Sequence, residues 1–209
     1  MAARSISAKN KANSSDSNDH EQLSRRTRIL NAAVDSFGTM GYYGTSLQKI
    51  ANSVGLTKAG VLHYVGSKEG MLNLVLEEMY DRETDEINQR YLTTEHPHIP
   101  AMLRDVVMVN AKRPHLVHMF STLSAEALNP DHPAHDYFVR REQRNVEQAM
   151  KTNWDVPSGI DAQDVISAAF AMMDGMQLRW LRNPEHEWPE LWEHCENALF
   201  PLPLWQGYR

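Results

Sequence analysis

The sequence has little cysteine and no long apolar run, and each shortage excludes a class of protein. Cys195 is the single cysteine among 209 residues, so neither an intrachain disulfide nor a cysteine-based zinc site can form. No apolar run approaches the roughly 18 residues that a membrane span requires. The first residues also lack the apolar segment of a secretory signal. We therefore expect a cytoplasmic protein that does not use the membrane as a partner.

Motifs of catalysis and of cofactor binding are missing as well. The chain has no GxSxG nucleophile elbow, no P-loop and no Rossmann glycine fingerprint. Histidine pairs such as His115 with His118 and His132 with His135 are spaced to share a helix face, but they stand beside prolines that are typical of helix starts. Cys195 lies on an apolar stripe and is interpreted as a buried thiol. We expect no catalytic residue, no metal site and no cofactor.

Charge is divided unevenly along the chain. The net charge of −6 argues by itself against a nucleic-acid partner. However, residues 25–68 contain six Lys or Arg and one acid, Asp35, whereas residues 69–209 contain 12 basic and 23 acidic residues. A basic segment followed by an acidic one indicates one module that meets phosphates and a second module with a different task.

Hydrophobic periodicity predicts helices along the chain and no sheet. Residues 1–23 are polar and are predicted to form a disordered arm. The expected fold class is all-α, with a three-helix helix-turn-helix domain over residues 24–70 and a larger helical domain over residues 71–209. About nine helices are expected in total. Gly38 and Gly41 are predicted to end the first of them, and Thr57 and Ser67 are predicted to cap the third and the fourth. The fourth extends from Ser67 to about Arg90, and the last five lie near residues 100–112, 114–128, 133–153, 161–182 and 188–200.

Residues 45–68, TSLQKIANSVGLTKAGVLHYVGSK, are typical of a helix-turn-helix. Gly55 is expected to give the turn its positive φ, and Ala51 is small where the two helices cross. Thr45 and Gln48 have the spacing of a capping box at the first helix. The second helix exposes small or polar residues, as contact with base edges and phosphates requires: Thr57, Lys58, Ala59, Gly60, His63 and Tyr64. The alternative, an ordinary helical hairpin, is disfavoured by the positive charge and by the turn glycine.

Residues 24–72 resemble the DNA-binding domain of the TetR family of bacterial transcription regulators. The resemblance rests on the segment AAVDSFGTMGYYGTS and on four shorter motifs: Ile50-Ala51, Gly55-Leu56-Thr57, His63-Tyr64 and Ser67-Lys68-Glu69. Leu62 and Val65 depart from the pattern, since family members often have tyrosine and phenylalanine at these positions. The departure at Leu62 removes one hydroxyl that would contact a phosphate.

The resemblance implies roles for individual residues and an architecture for the whole chain. Phosphate contacts are implied for Thr45, Thr57, Lys58, Tyr64 and Lys68, and base readout for Lys58, Ala59, Gly60 and His63. The family further implies a homodimer that binds double-stranded operator DNA, with a C-terminal domain that binds a small-molecule effector.

The apolar pattern of the C-terminal domain suggests both an interface and a pocket. The helix over residues 161–181 is apolar on more than one face, which is typical of a helix that pairs with its symmetry mate in a four-helix bundle. The candidate dimerisation residues are Ile166, Phe170, Met173, Met176, Trp192 and Leu199. The alternative is an internal core of one monomer. The ligand pocket is expected between Met79 and Trp154, lined by Met102, Val106, Met119, Phe120, Leu123, Phe138, Met150 and Trp154, although methionines at such spacing are also typical of plain core.

The sequence therefore predicts a dimeric repressor that a small-molecule ligand releases from its operator. The alternative is an all-α enzyme or ligand carrier in which the helix-turn-helix is incidental. An enzyme has no evident use for a basic, groove-sized helix, which favours the regulator.

Overall fold

The computed structural model describes the backbone of residues 3–209 and the side chains of residues 21–209. Within that range the chain is helical and contains no strand, as predicted. The predicted disordered arm, residues 1–23, overlaps the first helix, which begins at Ala3, and only the side chains of its last three residues are described. The helices are α1 (Ala3–Gly44), α2 (Leu47–Ser53), α3 (Lys58–Val65), α4 (Lys68–Asn73), a π-helical segment (Leu74–Asp81), α5 (Arg82–Leu92), α6 (Ile99–Ala111), α7 (Pro114–Glu126), α8 (His135–Lys151), α9 (Ala162–Arg182) and α10 (Trp188–Leu199).

Helix α4, the π-helical segment and α5 form one continuous rod over residues 68–92, which we call the connecting helix. Leu74 and Arg82, at the two junctions, keep right-handed helical angles. Counted in this way, the described residues form nine helices, the number that the sequence predicts. The widened π turn was not predicted. It ends in Tyr80 and Asp81, which are 3% and 1% exposed, and such segments are frequent at functional sites.

The regular part of α1 ends at Gly41, one of the two glycines predicted to end this helix. Gly41 has φ 67° and ψ −176°, a conformation that L side chains rarely adopt. The other glycine, Gly38, stays helical and its carbonyl accepts a hydrogen bond from Thr122 of α7 at 3.0 Å. The last turns of α1 therefore lie along α7, and this packing places the N-terminal helices on the C-terminal domain.

One apolar core runs through both parts of the chain. Ile29, Ala33 and Phe37 of α1 are fully buried, and so is Trp188 of α10, while Trp192 is 1% exposed. Burial of this many large side chains explains why the helices are fixed relative to one another. None of the described helices is both long enough and apolar enough to cross a bilayer.

Candidate nucleic-acid interface and ligand cavity

Helices α2 and α3 form the helix-turn-helix that the sequence predicts. Gly55 has φ 71°, and the N–H of Leu56 donates to the carbonyl of Ala51 at 2.9 Å. Ala51 is fully buried at the crossing. Arg28 of α1 donates to the carbonyl of Val54 at 2.8 Å. A backbone hydrogen bond thus closes the turn, and Arg28 of the first helix fixes its position.

The outer face of α3 is open to solvent. Thr57 caps the helix by accepting the N–H of Gly60 at 3.0 Å, as predicted. Lys58, Ala59 and His63 are exposed, whereas Gly60 and Tyr64 are half-buried. Lys58, Ala59 and His63 therefore present polar or small side chains to solvent, whereas Tyr64 packs partly against the core. A helix with this face suits close approach to the major groove.

Thr45 does not fit the role that the resemblance implies. It is 3% exposed, and its hydroxyl donates to the carbonyl of Gly41 at 2.7 Å and lies 3.1 Å from the Ser36 hydroxyl. The predicted capping box with Gln48 is also wrong, because α2 begins after Ser46 without a side-chain cap. The Thr45 side chain fixes the bend after α1 and does not face a phosphate.

Lys68 occupies a half-buried position at the start of α4. Its Nζ lies 4.3 Å from the centre of the Tyr42 ring, a cation–π contact. Burial lowers the pKa of Lys68, while the nearby carboxylate of Glu126 acts in the opposite direction. This lysine is oriented by an aromatic ring, unlike the freely exposed Lys58.

Helix α2 offers polar groups that the sequence reasoning missed. Gln48, Lys49 and Asn52 are exposed, and Gln48 donates to Asn52 at 2.9 Å. The signal was present in the sequence, since Lys49 is a cation on the polar side of a helix whose apolar side was already recognised.

Glu126, at the end of α7, joins the two parts of the chain. Its Oε2 accepts the backbone N–H of Tyr42 at 2.6 Å and lies 3.4 Å from Nε2 of His132. His132 is 3% exposed, its Nδ1 accepts the N–H of Ala134, and burial lowers its pKa. Among the described residues no group of three or more potential metal ligands exists. The His132–Glu126 pair therefore serves as a link between domains.

A cavity of about 510 Å³ lies between the connecting helix and helices α6 to α9. Val106, Phe120 and Phe138, three of the predicted ligand residues, line it. Met102 and Trp154 line a smaller adjoining recess instead.

The remaining predicted ligand residues lie elsewhere, which corrects the expectation. Met119 and Leu123 are fully buried in the core, and the backbone of Met119 lies against Gly38 of α1. Met150 is 61% exposed on α8. The polar residues of the cavity wall were not predicted from the sequence: Tyr80, Asn110, Arg141, Asp174 and Gln177.

The predicted dimerisation residues face inward more than expected. Ile166, Met173 and Trp192 are buried within the monomer, and Phe170, Met176 and Leu199 are half-buried. Three of them, Ile166, Phe170 and Met173, line the cavity. The apolar face of α9, which was predicted to form the dimer interface, is thus largely cavity wall and monomer core. An internal core was the alternative that the sequence left open.

The solvent-facing side of α9 has a different composition. Ala168, Ala171 and Gly175 are exposed at helical spacing, and an added Cβ on Gly175 would contact nothing within 4 Å. Leu178, one turn further on, is 41% exposed. Small residues in such a row permit a second helix to approach closely.

These features define an all-helical protein of two parts, an N-terminal helix-turn-helix domain and a larger helical domain that encloses a cavity. Residues 29–75 match the family described as bacterial regulatory proteins, tetR family. The helix-turn-helix part of the chain is therefore similar to the DNA-binding domain of that family, as its motifs indicated.

Individual relatives resemble the chain over different lengths. The HTH-type transcriptional regulator RutR of Escherichia coli K12 is 39% identical over 57 residues, 27% of either chain, so the match spans about a quarter of that relative. NalD, the secondary repressor of the MexAB-OprM multidrug efflux pump in Pseudomonas aeruginosa, has a TM-score of 0.65 and 19% identity over 87% of this chain and 96% of its own. FadR of Bacillus subtilis, solved with stearoyl-CoA, has a TM-score of 0.63 and 16% identity over 83% and 96%. These two structures share the fold.

Proposed function

We propose that the protein is a transcriptional regulator, a homodimeric repressor that leaves a near-palindromic operator when a small molecule fills its cavity. The observation that carries the proposal is the outer face of α3, where Lys58, Ala59 and His63 are exposed on the second helix of a helix-turn-helix. The names of RutR and NalD as regulator and repressor support it. The relatives give no support to the alternative of an enzyme or carrier. Because the proposed target is bacterial operator DNA, we place the protein in the cytoplasm.

The exposed row of small residues on α9 supports the dimer. Ala168, Ala171 and Gly175 leave room for the same helix of a second subunit, and Leu178 adds an apolar contact at its end. Two α3 helices related by a two-fold axis would then meet successive major grooves, which are roughly 34–36 Å apart. This spacing explains why a dimer is needed for tight binding to a palindrome.

The connecting helix supports a route for release. It begins with Met71 and Leu72, which are fully buried against the DNA-binding helices, and its π-helical segment places Tyr80 in the cavity wall. A ligand that prefers one tilt of this rod shifts the population toward that tilt. In the dimer the tilt changes the distance between the two α3 helices, so both can no longer dock at once. The complex of FadR with stearoyl-CoA shows that this fold holds small molecules in a relative.

The proposal is tested by selecting bound duplexes from a random DNA pool with purified protein, followed by gel-shift titration. We expect enrichment of a near-palindrome whose half-sites are about one helical turn apart. The duplex should be bound by two chains. Absence of any enriched sequence contradicts the regulator and favours the enzyme or carrier, whereas a single enriched half-site contradicts the dimeric reading alone.

A further inference from the structure

Hydrogen-bond donors from three separate elements surround the inner end of the cavity. Tyr80 of the connecting helix and Asn110 of α6 are 3% and 2% exposed, and the side chain of Arg141 on α8 is 19% exposed. All three line the cavity. The carboxylates that also line it, Glu142 and Asp174, belong to exposed residues. Glu142 thus lies toward the rim, whereas the Asp174 carboxylate, whose pKa is raised by burial and lowered by Arg141, accepts a hydrogen bond from the buried Gln177 at 3.0 Å.

Two of these donors point into the cavity without a partner. The Oδ1 atom of Asn110 accepts from Nε and Nη2 of Arg113 at 3.1 and 2.8 Å. Because a guanidinium can only donate, the amide orientation is fixed and its NH₂ group faces the opposite way. Within residues 21–209 nothing accepts a hydrogen bond from this NH₂ group or from the Tyr80 hydroxyl. Burial raises the pKa of Tyr80 to about 12, so the phenol keeps its proton.

Arg141 is the third donor, and it is held rigidly. Its Nε donates to Oδ1 of Asp81 at 2.8 Å, and its guanidinium carbon lies 4.8 Å from the centre of the Phe120 ring and 5.4 Å from that of Tyr80. Asp81 shares its single negative charge between Arg141 and Arg144, and it engages only one nitrogen of Arg141. Among the described residues the two Nη groups have no acceptor, and they form a fixed fork of the kind that binds oxygen atoms.

We propose that the ligand of this cavity is an apolar molecule with an oxygen-acceptor head group, received by Arg141, Asn110 and Tyr80. The inference rests on the proposed function of the cavity as the effector site. Thr84 and Gln177 also line the cavity, but apolar side chains such as Phe138 and Phe170 predominate, and a volume of about 510 Å³ suits a drug-sized molecule. The two carboxylates that line the cavity oppose long-range attraction of anions, so recognition depends on short hydrogen bonds at the inner end.

The head group would act directly on the connecting helix. Tyr80 belongs to its π-helical segment, and Arg141 holds Asp81 of the same segment. A ligand oxygen on Tyr80 therefore contacts the connecting helix itself, and one on Arg141 is linked to it through Asp81.

The test uses two fluorescent probes that share their rings and differ in the head group. These are 1-anilinonaphthalene-8-sulfonate, which carries sulfonate oxygens, and N-phenyl-1-naphthylamine, which carries none. In titrations of the full chain we expect the sulfonate to bind about tenfold more tightly, the effect of a charge-assisted hydrogen bond. Competition by 2-naphthoate and by 2-naphthamide then distinguishes a charged head from a neutral carbonyl.

Arg141→Gln should abolish the preference for the sulfonate probe. The matched control is Arg144→Gln, because Arg144 also donates to Asp81 at 2.8 Å but does not line this cavity, and we expect the preference to persist there. Thermal denaturation verifies that each variant is folded. If Arg141→Gln does not fold, Asn110→Asp is the deciding variant. Its new carboxylate at the inner end of the cavity should weaken binding of the sulfonate probe at least tenfold and leave binding of the neutral probe unchanged.

Equal binding of the two probes by the wild-type chain, or a preference that survives both Arg141→Gln and Asn110→Asp, overturns the assignment. The assignment is also overturned if naphthalene displaces the probe as effectively as 2-naphthoate or 2-naphthamide does. No DNA is present in these titrations. A failure here therefore leaves the DNA-binding proposal standing, and a failure of DNA selection leaves this one standing.

Discussion

The backbone N–H of Tyr42 donates to Oε2 of Glu126 at 2.6 Å, and this bond joins the end of α1 to the end of α7. It is possible because residue 41 is glycine: a Cβ built there would lie 1.9 Å from Oε1 of Glu126. The same carboxylate faces His132. This carboxylate thus adds a polar link to the packing of α1 on α7, which joins the helix-turn-helix domain to the domain that contains the cavity.

Gly41→Ala is expected to destabilise the protein more than the same change at another left-handed glycine. At Gly55, where φ is 71° and nothing lies within 4 Å of an added Cβ, the change costs only the backbone penalty of roughly 1–2 kcal/mol. At Gly41 the overlap with Glu126 adds roughly 1–3 kcal/mol. Urea denaturation of both variants measures the difference.

The control for this prediction is a double-mutant cycle with Glu126→Ala, which removes the overlapping atoms. In that background the two glycine variants should be destabilised by similar amounts. An excess at Gly41 that persists without the carboxylate would show that its origin is not Glu126.

The stability of the protein should fall as the pH drops below about 6.5. Burial lowers the pKa of His132 from its ordinary 6.5, so in this range the unfolded chain binds more protons than the folded one. The contribution of neutral His132 to the free energy of unfolding is present in full above pH 6.5, and it is lost as the pH falls through the pKa of His132 in the folded chain. Urea denaturation from pH 5 to 8 should show that the free energy of unfolding of the wild type rises with pH, and that this slope is shallower in His132→Gln. His118→Gln, at an exposed position, should leave the slope as it is, and identical slopes in all three proteins would rule out His132 as the source.

Binding to operator DNA should depend steeply on salt, because phosphate contacts release counterions. Lys58→Ala and Lys68→Ala should each weaken all sequences about equally and reduce the slope of log K against log salt by roughly one unit. Lys151→Ala, at the far end of α8 and exposed, should change neither. Gel-shift titrations at several salt concentrations give the slopes. An unaltered slope in Lys68→Ala would mean that this lysine stays on the Tyr42 ring and does not reach a phosphate.

Leu178→Glu is expected to split the dimer. A charge in the exposed row of α9 would be buried without a partner in the interface, which opposes association. Light scattering coupled to size-exclusion chromatography should report a monomer, and operator affinity should drop because one half-site alone supplies half the contacts. Met108→Glu, on α6 and 47% exposed, is the matched control and should remain dimeric. A dimer that persists in Leu178→Glu would place the interface on another face.

Local chemistry made several features predictable from the sequence. Thr57 and Ser67 cap α3 and α4 as expected, and Gly55 takes the positive φ of the turn. Helix positions in the C-terminal domain agree with the apolar periodicity to within about two residues, because proline, glycine and capping side chains act on the backbone next to them. The basic segment and the motifs of residues 24–72 indicated the family whose description matches residues 29–75.

Tertiary structure alone decided which face of each helix serves which purpose. Periodicity shows that α9 is apolar on several sides, but it does not reveal that Ile166 faces a cavity while Leu178 faces solvent. Thr45 was expected to contact a phosphate, but the break in α1 at Gly41 directs its hydroxyl inward. The π turn of the connecting helix accompanies a pairing between Asp81 and Arg141, 60 residues apart. Such assignments depend on contacts between distant segments, which no local pattern encodes, whereas the helices themselves depend on neighbours along the chain.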